Sequence, residues 1–453
     1  MAFVTWRDVV TSNRTARVVF LILVVMAPQA MPADAQAPLS LAQAIARARA
    51  HNPAAKAAEV AEREAAERVT QARSGYLPRV DATESWQRGD NPAFVFSSLL
   101  AQRRIAAADF AVDALNHPDA LDNFRTALSV EQPLFDRAAS VRVESVAIGR
   151  DIASAGRKLV DQDLAAAVTD AFGGVLAAEA SVHAAAAAVQ TARADREVAG
   201  NRRDAGRATD ADVLQMDVHL ARTLEHQVQA LADERIGRMR LNQLMGEPLT
   251  TAFTLDRTPT AIAIDITNRP RLEEQALKNR PEVTIARQQA RLATAAVHAA
   301  QAAFLPQVYA QGTWELNGDS WNSRSSTWVV GLAARINVFR GFADQARLAE
   351  AHELERRRGI EASQVETLVR LDVQTAIARL EAAQAGEAVG RTAADSARES
   401  HRIIQDRYNG GLEDAASLLR AAEAVQQAEA QQIAALVNVI TATATLQRAT
   451  GTL

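Results

Sequence analysis

Two stretches of this chain align without a gap, and that duplication constrains the fold more than any other feature. The first runs from Asn52-Pro53 through Tyr76-Leu77-Pro78 to Trp86, the second from Arg280-Pro281 through Phe304-Leu305-Pro306 to Trp314. Pro53, Leu77, Pro78 and Trp86 recur as Pro281, Leu305, Pro306 and Trp314, each 228 positions on. Each copy reads as a long Ala-rich helix stopped by Leu-Pro and followed by an alternating, strand-like run. Self-similarity at a fixed spacing means that one structural unit is used twice.

Composition narrows what that unit is. Of 453 residues, 48% are apolar but only 4% aromatic, and much of the apolar fraction is alanine. Alanine has the highest helix propensity and lets helices approach closely, which favours long packed helices over a thick globular core. Cys is absent, which excludes disulfides, thiol catalysis, Cys-ligated zinc and an N-terminal lipid anchor. Residues 1–35 read as a signal peptide: Arg7, Arg14 and Arg17, then the apolar Val18 to Met26, then a small-x-small cleavage site at Ala33-Asp34-Ala35. Beyond it no unbroken run of about 18 apolar residues is present, so no spanning helix is expected and any membrane role must use strands. The mildly acidic balance, a formal charge of −4, argues against a nucleic-acid partner.

Taken in order, Ser40 to Arg73 reads as helix with a break at Asn52-Pro53. The period then changes from 3.6 to 2. Strands are expected at about 79–87, 123–135, 307–316 and 327–339, their apolar faces carrying Trp86, Leu128, Val130, Trp314, Trp328, Val330, Leu332 and Ile336. Segments of about ten residues, apolar on one face and polar on the other, mark transmembrane strands, although a half-buried soluble hairpin shows the same alternation. Phe135 recurs as Phe339 at an offset of only 204, so the first hairpin, 87–123, is 24 residues longer than the second. Ala138 to about Ala199 reads as one long helix with Val168, Val175, Val182 and Val189 at a seven-residue spacing, a coiled-coil seam. Its counterpart runs from about Phe342 to Ile404. Both stop near glycine, at Gly206 and Gly411, and return helices 210–245 and 414–450 follow, ending at Gly246 and Gly451. The unit, first repeat 36–246 and second repeat 272–453, is joined by a linker at 247–271. Four strands cannot close a barrel, so copies must pool them: a dimer gives eight, a trimer twelve.

The residues resemble the TolC-like outer-membrane efflux channels over essentially the whole mature chain. The carriers are Leu41-Ala42-Gln43-Ala44-Ile45 before Asn52-Pro53, the two Leu-Pro stops, Gln132-Pro133-Leu134-Phe135-Asp136, Val338-Phe339-Arg340-Gly341 and Arg407-Tyr408 before Gly411. The resemblance implies a mainly α chain with a small β part. It also implies a homotrimer whose α-barrel tunnel continues into a twelve-stranded transmembrane β-barrel, in the outer membrane of a Gram-negative bacterium with a long periplasmic extension. Such a channel is a passive conduit of a tripartite efflux or type I secretion system, receiving substrate from an inner-membrane pump through a periplasmic adaptor. It further implies adaptor docking at the tips, Ala205-Gly206-Arg207 and Gly410-Gly411-Leu412. An acidic aperture is drawn from Asp210, Asp212, Glu413 and Asp414, with Ser417 and Arg420 standing where relatives often carry Asp.

Two other classes remain to be weighed. A secreted or periplasmic coiled-coil scaffold or adaptor explains the heptads and the signal, but not four alternating strands with aromatic ends: Trp86, Trp314, Trp328 and Phe124 at one membrane interface, Tyr76, Phe304, Phe135 and Phe339 at the other. An enzyme is not expected. The sequence has no phosphate loop, no His-Glu-x-x-His and no nucleophile elbow, and the eight histidines lack metal spacing. No catalytic residue, metal or cofactor is expected.

Overall fold

The computed structural model describes residues 38–256 and 265–453. The expected signal peptide and the alternating Ala261-Ile262-Ala263-Ile264 run of the linker lie outside the described residues.

The first repeat opens on a reciprocal cap. The Ser40 hydroxyl accepts from the Gln43 N–H at 3.3 Å and the Gln43 side chain accepts from the Ser40 N–H at 3.1 Å, satisfying two donors that a helix start leaves free. Helix α1 (Leu41–His51) ends at Asn52, whose side chain accepts from the Ala54 N–H at 2.8 Å and so opens α2 (Pro53–Arg73). Proline in the first helical turn costs no bond, because that N–H has no intrahelical partner anyway. A 3₁₀ turn and Leu77-Pro78 stop α2, and β1 (Arg79–Gly89) follows. The long first hairpin then folds into two short helices, α3 (Pro92–Ala101) and α4 (Val112–Asn116), before β2 (Leu121–Phe135). Asp136 caps α5 (Arg137–Asp204), 68 residues, and α6 (Asp210–Met245) returns along it.

The second repeat rebuilds this with α7 (Arg269–Asn279), α8 (Pro281–Ala302), β3 (Gln307–Ser320), β4 (Ser323–Arg335), α9 (Ala343–Asn409) and α10 (Ala415–Thr450). At 1.5 Å per residue α5 is about 100 Å long. Both long helices exceed the expected ends at Ala199 and Ile404 because polar residues continue helical until the turn glycines. α7 begins at Arg269, inside the expected linker. β4 ends at Arg335, so Ile336 lies one residue beyond the strand to which it was assigned, in the connection to α9. β3 and β4 also run further towards their connection than expected, leaving only Trp321 and Asn322 between Ser320 and Ser323.

One stretch of α5 is, by length and composition, apolar enough to cross a bilayer, which a search for unbroken apolar runs misses. Alanine supplies that apolarity, and the helix's larger side chains, Val168, Phe172 and Val175, are buried against neighbouring helices. The two cores are copies of each other. Leu164, Val168, Phe172 and Val175 of α5 meet Leu241 of α6 and Ala44 and Ala48 of α1. Val369, Val373, Ile377 and Leu380 of α9, each 205 positions later, meet Leu446 of α10 and Leu272 and Ala276 of α7. Val189 is buried in the expected seam, while Val182 is half-buried.

The return helices close on the breaks in the entry helices. Gly246 (φ +71°) and Gly451 (φ +70°) cap α6 and α10 in the left-handed region. A Cβ on Gly246 would stand 2.6 Å from the His51 carbonyl oxygen, and one on Gly451 2.8 Å from the Asn279 Cβ. Glycine is required twice over there, for conformation and for close approach. At Gly206 a Cβ would meet nothing within 4 Å, so only the conformational cost of about 1–2 kcal/mol applies. Gly246→Ala should therefore lower the thermal unfolding midpoint clearly more than Gly206→Ala, as read by circular dichroism of the purified protein. Equal shifts would show that the α1–α2 junction yields without cost.

Candidate functional site

Two regions carry the features of the expected site: the far ends of the long helices and the four-stranded sheet. At the first end, the Gly206 N–H donates to the Arg203 carbonyl and the Arg207 N–H to the Arg202 carbonyl, both at 2.8 Å. At the second, the Gly411 N–H donates to Tyr408 and the Leu412 N–H to Arg407, both at 2.9 Å. These are the same turn 205 residues apart, with φ of +69° at Gly206 and +79° at Gly411. Ala205, Gly206, Arg207, Gly410, Gly411 and Leu412 are all exposed.

Arg202 ties the two tips together, a contact that sequence reasoning missed. Its Nη1 donates to the Tyr408 carbonyl at 2.7 Å and its guanidinium lies 4.3 Å from the centre of the Tyr408 ring. Tyr408 is 3% exposed, and burial raises its phenol pKa above the ordinary value. Beneath it Ala199, Val213 and Met216 of the first hairpin pack against Ala415 and Leu418 of the second. The Arg407-Tyr408 motif was legible in the sequence; its partner in the other repeat was not.

The aperture candidates all have local partners. Asp212 accepts from the Thr209 N–H at 2.8 Å in a capping box that opens α6. Asp210 lies 3.7 Å from Arg203, and Glu413 lies 3.3 Å from Arg407. Asp414 caps α10 by accepting from the Ser417 N–H at 2.8 Å, and the hydrogen bonds from Ser417 hold its carboxyl below the usual range. Arg420 donates to the Ser417 hydroxyl at 3.0 Å. Among the described residues, no three His, Asp or Glu side chains are placed to hold a metal ion.

Just before Tyr408 along α9, all four tip helices contribute to a second polar cluster. Asp195 of α5 is 4% exposed and accepts from Gln405 of α9 at 2.9 Å. His401 of α9 and His219 of α6 face it, and Glu423 of α10 and Arg222 of α6 face His219. Burial raises the Asp195 pKa, the bond from Gln405 opposing it, and burial lowers that of His219.

In the sheet the order is β1-β2-β3-β4, all antiparallel, so β2–β3 joins the repeats and β1 and β4 are the edges. Leu128 stands opposite Trp314, and Trp314 opposite Trp328; Val130 is level with Val80 and with Val330 through Gly312. These side chains share one face with Trp86 and Leu332, and Trp328, Val330 and Leu332 are 75%, 71% and 74% exposed. The other face carries Arg125 paired with Glu315, and Thr313, Gln311 and Ser129. The aromatic residues expected at one level fall in two ranks: Trp86 opposes Phe124, four residues along β2 from the Leu128–Trp314 row. The register that decides this comes from the β2–β3 pairing, which periodicity does not encode.

A family profile described as outer membrane efflux protein matches residues 44–247 and 272–452, both repeats nearly whole. The chain belongs to the outer membrane efflux protein family. It is similar to Protein CyaE of Bordetella pertussis, 26% identical over 86% of this chain and 79% of that protein. It is also similar to the alkaline protease secretion protein AprF of Pseudomonas aeruginosa, 24% identical over 52% of this chain and 50% of that one. The outer membrane protein VceC of Vibrio cholerae superposes with a TM-score of 0.75 at 17% identity, over 91% of this chain and 96% of VceC. The TolC-like resemblance is thus borne out at the level of family and fold. The chain is an outer-membrane channel of the efflux and secretion kind, mostly helical with a small sheet.

Within the tip cluster, His219 carries an acid sensitivity of defined sign. Because the folded state lowers the His219 pKa, packing its neutral ring contributes fully above about pH 6.5, the free-imidazole value. That contribution is lost as pH falls below 6.5 through the folded value. Asp195, with its raised pKa, acts in the opposite sense: its contribution is intact below about pH 3.9 and lost as pH rises through the folded value. Amide exchange in α6 around His219, corrected for intrinsic rates, should accelerate between pH 7.5 and 5.5. His219→Gln should flatten that step; an undiminished step would assign it elsewhere.

Proposed function

We propose that three copies of this chain form a continuous passive conduit, a twelve-stranded barrel in the outer membrane joined to a helical tunnel through the periplasm. The conduit would receive cargo at the Gly206 and Gly411 tips from a periplasmic adaptor and an inner-membrane pump. The observation that carries this reading is the sheet. It has one face that is apolar and exposed along Trp328, Val330 and Leu332, with Glu84 and Arg324 paired towards its outer end, and one polar face. Its two outer strands have no further strand beside them among the described residues, and in lipid every backbone group must be paired. Pairing β4 of one copy with β1 of the next satisfies both edges, and the family's homotrimers support twelve strands over eight. Helices support the same assembly. Leu214, Val218, Val228 and Leu231 of α6 and Leu368, Val389 and Ile403 of α9 are exposed apolar residues of a single protomer, available for burial against neighbouring copies. Trp86, Leu128, Val130, Trp314, Trp328, Val330 and Leu332 are then the lipid-facing residues, with Ile336 at the periplasmic exit of β4.

Secretion is favoured over small-molecule efflux as the host system, since a relative aligned by sequence is named for secretion of an alkaline protease. The exposed turns Ala205-Gly206-Arg207 and Gly410-Gly411-Leu412 are the proposed adaptor contacts. Asp210, Asp212, Glu413, Asp414, Ser417 and Arg420 are the proposed aperture residues. The local ties of the four acids and the presence of Arg420 make a strongly cation-binding ring a weaker reading than a mixed-charge one. The closed state is a bundle held by Arg202 and Tyr408, and adaptor binding favours the splayed arrangement, as a ligand does when it binds one of two states better.

Arginine at the bilayer midplane on a lipid-facing strand costs about 2–4 kcal/mol. Val330→Arg should therefore cut outer-membrane trimer sharply in fractionated cells, while Gln311→Arg, on the polar face, should leave it near the parent level. Equal yields would remove the lipid-facing assignment. Separately, Gly206→Pro with Gly411→Pro should abolish adaptor crosslinking and transport while trimer persists. Unchanged transport would show that the tips are not the gate.

A further inference from the structure

The first hairpin is where the described parts of the two repeats differ most. β3 and β4 are joined by Trp321 and Asn322 alone, whereas residues 90–120 between β1 and β2 fold into α3, a 3₁₀ turn and α4. This segment is anchored to the strands by its own polar residues. Gln102, 4% exposed, donates to the Asp122 carbonyl at 2.9 Å and the Asn123 side chain at 3.0 Å, and its carbonyl accepts from the Ser325 hydroxyl at 2.8 Å. Asn123 donates onward to the Asn317 side chain at 3.1 Å. Arg103 donates to the Ser326 carbonyl at 3.1 Å, and Arg104 pairs with Asp319 at 2.7 Å. Arg103 holds φ at +55°, a left-handed conformation that is strained for a non-glycine residue and kept only where its surroundings over-determine it.

These anchors decide which side of the sheet is covered. Asn123 alternates in step with Arg125 and Ser129, and Asn317 with Glu315 and Thr313. Ser325 stands opposite Asn317. Asn123, Asn317 and Ser325 belong to the polar face, while Asp122 and Ser326 take part only through their backbone carbonyls. Asn123 and Asn317 are 6% and 2% exposed, at the end of the strands farthest from the helical body. The segment itself is folded rather than trailing: Phe96 meets Phe110 edge-on at 5.7 Å, and Val95 is buried. Leu100, Phe110 and Val112 stay 49%, 59% and 76% exposed, giving it an apolar outer surface.

We infer that residues 90–120 form a cap on the lumenal side of the outward mouth, one per protomer, which narrows the exit of the channel. This rests on the barrel reading above, in which the polar face lines the lumen. The cap is held by side-chain bonds rather than by strand pairing, so it can be released while the barrel stays closed. Cargo larger than the capped mouth must then break the Gln102 and Arg104 anchors to leave.

The absence of cysteine permits a direct test with single introduced thiols. Ser129→Cys places one on the polar face, below the cap, and Val330→Cys one on the apolar face. Intact cells would be treated from outside with a maleimide carrying a polyethylene glycol of about 5 kDa, in three backgrounds: parent, residues 92–118 replaced by a short Gly-Ser turn, and Gln102→Ala with Arg104→Ala. The Ser129→Cys thiol should react at least tenfold faster in the deletion than in the parent, with the double variant between them. Equal rates in the parent and the double variant would overturn the cap, and the double variant decides the matter should the deletion fail to assemble. If Val330→Cys reacts as readily as Ser129→Cys in the deletion or the double variant, or the protein leaves membranes in carbonate, it is the barrel reading that fails.

Discussion

Among the described residues no strand pairs with the outer edge of β1 or of β4, and the rest of the molecule is arranged around that deficit. A four-stranded sheet with one strongly apolar face cannot rest in lipid with open edges, because no water is available to pair them. In the proposed assembly closure comes from identical copies, and copies meeting edge to edge would bring their helices together as well. The seven-residue spacing in α5 and the exposed apolar residues of α6 and α9 suit that outcome. A strand edge at one end of the protein thus sets the demand on helix faces up to about 100 Å away.

Alanine makes the helical part compatible with that demand. Small side chains at Ala44, Ala48, Ala276 and Ala449 let the entry and return helices sit close to α5 and α9. Larger residues are reserved for two matched cores at the same level of each repeat. The glycines then serve two different purposes. Gly246 and Gly451 allow backbones to approach at the Pro53 and Pro281 junctions, whereas Gly206 and Gly411 only set a turn and leave the tips open. Beside the local ties within each turn, the described contacts between the two tips are an arginine over a tyrosine, a small apolar cluster, and a buried carboxylate bonded to Gln405 and facing two histidines. A region held by such contacts is suited to opening, while the glycine-locked junctions are suited to staying fixed.

Much of this was readable beforehand because duplication turns weak signals into a pattern. One Leu-Pro or one turn glycine means little; the same features at offsets of 228 and 205 define a unit, its elements and their order. The equivalence of the tip turns, the capped start at Ser40, the break at Asn52 and the strand faces followed from local chemistry, and local chemistry survives folding. Boundaries did not follow so well. α5 continues to Asp204 because Arg202, Arg203 and Asp204 are tolerant of helix once the turn is fixed by Gly206, and periodicity fades before the helix does. Ile336 kept the alternation of β4 but lies outside it, since pairing with β3 ends at Gln307 opposite Arg335.

The sequence by itself determined the repeat, the helix–strand–strand–helix–helix order, the apolar and polar faces of each strand and the conformations at the turn glycines, because each depends on residues close in the chain. Only the tertiary structure decided the β2–β3 register, which separates the tryptophans into two ranks. It alone joined Arg202 to Tyr408, gathered Asp195 with His219 and His401, and laid residues 90–120 over the polar face. Those contacts link residues that are distant in sequence, and no local propensity records which partner a buried donor will find once the backbone has brought two repeats together.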